Sequence, residues 1–104
     1  MHEKMTRQPS HPGEILHELY MEPLSLSAAK LAEKLGVSRT TISSLINGKT
    51  SVTVNMAMRL SQAFGTTPEL WLNLQRNLDL WLARQHGGSW KEVKQIAELE
   101  NGSI

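Results

Sequence analysis

Apolar positions in this chain recur at intervals of three and four, and each run is bracketed by a capping residue and a breaker. That is the period of helices with one buried face. Pro12 suits a first turn, with His11 or Ser10 before it as cap, and Ile15, Leu16 and Leu19 supply an apolar side until Pro23 ends the run. Ser27 is a natural cap for a second helix, in which Leu31, Ala32 and Leu35 share a face and Gly36 provides the stop. Val37 then plugs the corner, Ser38 caps a third helix, and Ile42, Leu45 and Ile46 form its inward stripe. Thr53 caps a fourth, with Ala57, Leu60 and Phe64 inward and Gly65 as its end.

Thr67, Pro68 and Glu69 open a fifth helix in the favoured order of cap, proline and acid, and it runs to about His86. This helix carries more apolar surface than one buried side requires: Leu70, Trp71, Leu72, Leu74, Leu78, Leu80, Trp81 and Leu82 circle much of the axis. One face can pack on the core, and the other needs cover from a second subunit. Trp71, Leu74, Leu78, Trp81 and Leu82 are therefore the expected homodimer interface. Plain core packing is the competing reading for the tryptophans, since aromatics are enriched in cores and interfaces alike. Gly87 and Gly88 break the helix, and Ser89-Trp90-Lys91-Glu92 matches a capping box that predicts a sixth, with Trp90, Val93, Ile96 and Ala97 on one side. The expected molecule is all-α and a single domain over residues 1–104: a flexible arm at 1–11, a helix-turn-helix pair at 27–47 and C-terminal helices at 68–104 that pair subunits.

The outward side of the third helix changes the picture from architecture to function. With Ile42 set inward and a step of about 100 degrees per residue, Thr40, Ser43, Ser44 and Asn47 fall on the opposite face and Arg39 flanks the first turn. From Ser27 to Thr50 the chain has Lys30, Lys34, Arg39 and Lys49 against the single acid Glu33. The whole protein is nearly neutral, with 11 Lys plus Arg and 10 Asp plus Glu, so positive charge is concentrated on this segment. A short, polar, acid-poor helix face beside a tight turn suits DNA reading, and a merely solvated face is the competing reading that composition alone leaves open. Arg39 and Thr40 are expected at base edges with Ser44 next along, Thr41 and Ser43 on the same surface, and Ser38, Asn47 and Lys49 against the phosphate backbone.

The spacing Ala32-x3-Gly36-x5-Ile42, with Leu31, Leu35, Val37 and Leu45 around it, resembles the helix-turn-helix of the lambda-repressor-like, or Xre, family. Each position has a steric reason: a small residue where the helices cross, a glycine at the turn, a branched residue in the angle between them. An ordinary helical hairpin needs no such coincidence. The likeness extends to His11-Pro12-Gly13-Glu14-Ile15-Leu16, Glu22-Pro23-Leu24, Asn47-Gly48-Lys49, Met56-Ala57-Met58-Arg59-Leu60 and Glu69-Leu70-Trp71-Leu72-Asn73-Leu74-Gln75 through Asp79-Leu80. In order and spacing these are similar to the HigA antitoxin branch, also called VapI-like, over roughly residues 9 to 82. The resemblance implies a lambda-repressor-like five-helix DNA-binding domain, here with a C-terminal extra helix. It implies two partners, double-stranded operator DNA and a HigB-type toxin that cleaves mRNA on the ribosome. Two positions depart from the pattern. Ala28 stands where many relatives carry a phosphate-contacting Gln, and Arg39, Thr40, Thr41 and Ser44 stand where lambda-type repressors often place glutamines, so their operator sequences do not transfer. A stand-alone repressor of the same fold, without a toxin, fits the motif equally.

At 104 residues the chain is long enough to bury about 60 to 70% of its unfolded surface. Cysteine is absent, which removes disulfides, zinc fingers and thiol catalysis and fits a cytoplasmic protein. No apolar run approaches the roughly 18 residues of a membrane span, and Met1 to Ser10 has no signal-peptide pattern. A hydrolase built on His11, Glu14, His17 and Glu18 is the reading from another class. These residues lack metal-site spacing, since His17 has no His four residues on and no helix carries H-E-x-x-H. Neither enzymatic activity nor a cofactor or metal is expected.

Overall fold

The computed structural model describes residues 7–96, and among them every regular element is helical. The first element, α1 (Pro12–Ile15), continues directly into a π-helical stretch, Leu16–Met21. After it come α2 (Ala28–Leu35), α3 (Arg39–Ile46), α4 (Val54–Phe64), α5 (Pro68–His86) and a single 3-10 turn, Ser89–Glu92. Side-chain caps fix where the helices begin. His11 Nδ1 accepts from the Gly13 amide at 2.8 Å, and Ser27, Ser38, Thr53 and Thr67 each accept from the amide three residues on, at 3.0 to 3.2 Å. Each such cap is worth about 1 kcal/mol.

Helices α2 and α3 form the central hairpin, α1 packs on α3 and α5, and α4 bridges α2 and α5. The core where they meet holds Leu16, Met21, Leu31, Ala32, Leu35, Ile42, Leu45, Val52, Met56, Ala57, Leu60 and Trp71. Trp71 is fully buried, and Tyr20 lies 5.2 Å from it and 5.1 Å from Phe64, ring centre to ring centre, in tilted packing. The Trp71 indole N–H donates to Thr66 Oγ1 at 2.8 Å, so its polar end is satisfied as well.

Gly13 explains how closely α1 can lie on α3. A Cβ at that position would overlap the carbonyl oxygen of Leu45 and sit 3.0 Å from the Ile46 Cα. The N-terminal helix therefore seats directly on the backbone of α3. Arg59 makes a second tie, from α4 to the end of α2. Its guanidinium donates to the Leu35 carbonyl at 2.6 Å and to Asn55 Oδ1 at 2.7 Å, placing a cation at a helix C-terminus where the dipole favours it.

The structure corrects three expectations. Leu19 is 63% exposed rather than inward. The π winding, with the Glu22 amide bonded to the His17 carbonyl at 2.9 Å, brings residues five apart onto one side, so Met21 joins Leu16 in the core and Leu19 turns out. Trp71 and Leu78, expected between subunits, are buried within the protomer, because α1 and α4 both pack on α5 and use more of its circumference than one stripe. The predicted sixth helix is only the 3-10 turn. Trp90 in that turn and Val93 and Ile96 beyond it are exposed, and Ala97 lies outside the described residues. The Trp90 indole folds back onto the Gly87 carbonyl at 3.0 Å, and a short helix with no packed face is marginal in water.

Candidate nucleic-acid interface

The α2–α3 hairpin is held at both ends by local chemistry. Gly36 adopts φ 73°, and the Val37 amide returns to the Ala32 carbonyl at 3.0 Å, closing α2. Val37 packs on the core at the corner, and Ile42 and Leu45 lock α3 against it from within. The far end of α3 closes in the same manner: Gly48 has φ 71° and the Lys49 amide reaches the Ser44 carbonyl at 2.9 Å. This wrap fixes Lys49 at the edge of the helix.

Outward, Ser38, Arg39, Thr40, Thr41, Asn47 and Lys49 are exposed, while Ser43 and Ser44 are half-buried. The presented surface is therefore narrower at its centre than a helical wheel suggests. Ser38 and Thr41 are engaged with each other: the hydroxyls lie 2.8 Å apart and the Thr41 amide donates to Ser38 Oγ at 3.0 Å. One of their two hydroxyl hydrogens is used between them, which leaves one for a ligand. The first turn of α3 contains no acid, and the single acid of the segment, Glu33, is on α2 at 3.4 Å from Lys30. Within the α2–α3 hairpin, no acid therefore lies on the helix that faces an approaching anion.

Gln75 is the residue that sequence reasoning did not assign to this site. It is buried on α5, its Oε1 accepts from the Val52 amide at 2.8 Å, and its Nε2 donates to Asp79 Oδ1 at 3.0 Å. The hydrogen bond pins the loop after α3, which carries Lys49, Thr50 and Ser51, to the rigid C-terminal helix. A glutamine interrupting a leucine and tryptophan run was the visible signal, since a polar residue on a buried helical face needs a partner.

Of the five residues expected between subunits, Leu74 packs partly on the core and Trp81 and Leu82 are half-buried, in addition to the buried Trp71 and Leu78. Leu80, on the same stretch, is 42% exposed. The Trp81 Nε1 is shielded from water and finds no acceptor among the described residues. No group of three or more His, Asp or Glu side chains converges to hold a metal among those residues, and no helix there is long and apolar enough to cross a membrane.

The arrangement has close counterparts. A family model described as helix-turn-helix matches residues 18–71. An uncharacterized HTH-type transcriptional regulator of Haemophilus influenzae is 51% identical over 77 residues, covering 74% of this chain and 72% of that protein. Antitoxin HigA-1 of Vibrio cholerae is 44% identical over 81 residues, covering 78% and 76%. Among solved structures, antitoxin GraA in complex with its operator superimposes with a TM-score of 0.79 at 41% identity, over 94% of this chain and 100% of that one. This chain belongs to the lambda-repressor-like helix-turn-helix family, in its branch of HigA and VapI-like antitoxins.

Proposed function

We propose that this protein is the antitoxin of a HigBA-type module, which neutralises an mRNA-cleaving toxin and represses its own operon by binding operator DNA through α3. The observation that carries this reading is the exposed, acid-free surface of α3 in a chain that shares its fold along nearly its whole length with an antitoxin bound to its operator. Arg39 and Thr40 read base edges, with Ser44 beside them and Thr41 and Ser43 completing the surface. Ser38, Asn47 and Lys49 hold the phosphate backbone, which sets register without carrying sequence. Operator and mRNA-cleaving toxin both place this work in the cytoplasm.

A single α3 covers only a few base pairs, so the working form is a homodimer reading two half-sites about 34 Å apart. Its contact lies on the second half of α5 around Leu80, Trp81 and Leu82, at the end of the helix remote in sequence from the hairpin. The toxin binds elsewhere, on Glu14, Glu18 and Glu22, which are exposed along α1 and its π extension and suit a basic partner.

The test is co-expression with the product of the neighbouring gene and purification through one partner. Co-elution together with rescue of growth is the expected result, and an Arg39→Ala protein should rescue equally while failing to repress. A chain that represses its promoter but neither binds nor rescues from the neighbouring product would instead be a stand-alone repressor, the reading favoured by the relative named only as a regulator.

A further inference from the structure

Between the exposed part of α3 and the loop that follows it lies a groove whose apolar lining the polar contacts above leave unused. Thr40, Thr41 and Ser44 form one wall, Thr50, Ser51 and Thr53 the other, and Leu45 with Met56 the floor. Its surface is mostly carbon although six of its eight residues bear hydroxyls. Hydrogen bonding accounts for part of the difference. The Thr41 hydroxyl is engaged with Ser38 at 2.8 Å, and Thr53 Oγ1 caps α4 by accepting from the Met56 amide at 3.1 Å. Neither threonine has its oxygen fully free for a base edge, and Leu45 and Met56 offer only carbon and sulfur.

Resting on the operator-binding reading, we propose that this groove is a specificity pocket for the C5-methyl group of thymine, one in each operator half-site, next to the base read by Arg39. In the major groove the thymine methyl is the single apolar mark on any base pair, and the groove adjoins the helix that reads there. The loop wall is held in place by the Gln75 bond to Val52, so the pocket exists before DNA arrives and little ordering is lost when it is filled. Thymine in a half-site is thereby distinguished from cytosine, which lacks the methyl.

The experiment selects a binding duplex from a random pool with the full-length protein and then replaces each thymine in turn with deoxyuridine, which removes the methyl and nothing else. Burial of one such group predicts a loss of about fourfold in affinity at one thymine per half-site, and about fifteenfold when both half-sites are changed. A Thr40→Ser, Thr50→Ser protein lacks two methyls of the wall, and the same replacement should cost it measurably less. A selected duplex indifferent to uracil at every position overturns the pocket while leaving operator binding intact. So does full uracil sensitivity in the doubly substituted protein, which would put the methyl elsewhere. Failure to enrich any duplex would remove the DNA-binding reading itself.

Discussion

At the scale of single residues, sign and magnitude separate roles that resemble each other. Arg39 is exposed on the first turn of α3, so Arg39→Ala should leave the melting temperature and helicity unchanged. Operator binding should weaken by about 1 to 3 kcal/mol if the guanidinium bridges a guanine. Titration of one defined duplex at moderate salt decides it, and an unchanged affinity would remove Arg39 from the base contacts. Gly13 tests the opposite kind of residue. In an unencumbered helix, Gly→Ala stabilises by about 0.5 to 1 kcal/mol, but here the added carbon meets the Leu45 carbonyl. Gly13→Ala should therefore destabilise by about 1 to 3 kcal/mol in urea unfolding, and a gain in stability would show that α1 can lift from α3 without penalty.

At the scale of elements, the loop after α3 is tied to α5 by the bond from Val52 to Gln75. Lys49→Ala should weaken binding to every DNA alike and flatten the logarithmic salt dependence by about one unit. A changed sequence preference with the slope intact would contradict a backbone role. Gln75→Leu leaves the buried Val52 amide without its acceptor, a cost of about 1 to 3 kcal/mol. It should also lower DNA affinity although no contacting residue has changed, as paired denaturation and titration curves would reveal. Elements with strong local punctuation were the ones legible in the sequence: Ser27, Ser38, Thr53 and Thr67 cap as their spacing predicts, and α5 spans Pro68–His86. The reading failed where a long-range or non-α feature decided. A π turn moves Leu19 outward with no composition signature, the shared burial of Trp71 depends on three helices meeting, and the capping-box match at Ser89 had no surface to pack on. Likewise, the polar positions of the candidate site were visible as an acid-poor helix face, whereas the groove between Thr40 and Thr50 and the Gln75 tie arise only when α3 and the following loop are brought together.

At the scale of the whole molecule, the proposed dimer contact has a clean probe in Leu80, which is 42% exposed and can accept a charge without disturbing the protomer's core. Leu80→Glu should sediment as a folded monomer at micromolar concentration and lose cooperative operator binding, because burying an unpaired carboxylate between subunits costs several kcal/mol. A variant that stays dimeric would move the contact away from this stretch of α5. The seating of α3 has a consequence of another kind. Its inward side is locked by Ile42, Leu45 and the close approach of Gly13, while Arg39 and Thr40 make no side-chain hydrogen bond to the rest of the protein among the described residues. On the proposed reading of the operator, the address label is thus insulated from the frame that displays it. A genome holding several copies of this scaffold can give each its own operator by exchanging a few exposed side chains, at almost no risk to folding, and so keep many such circuits from crossing.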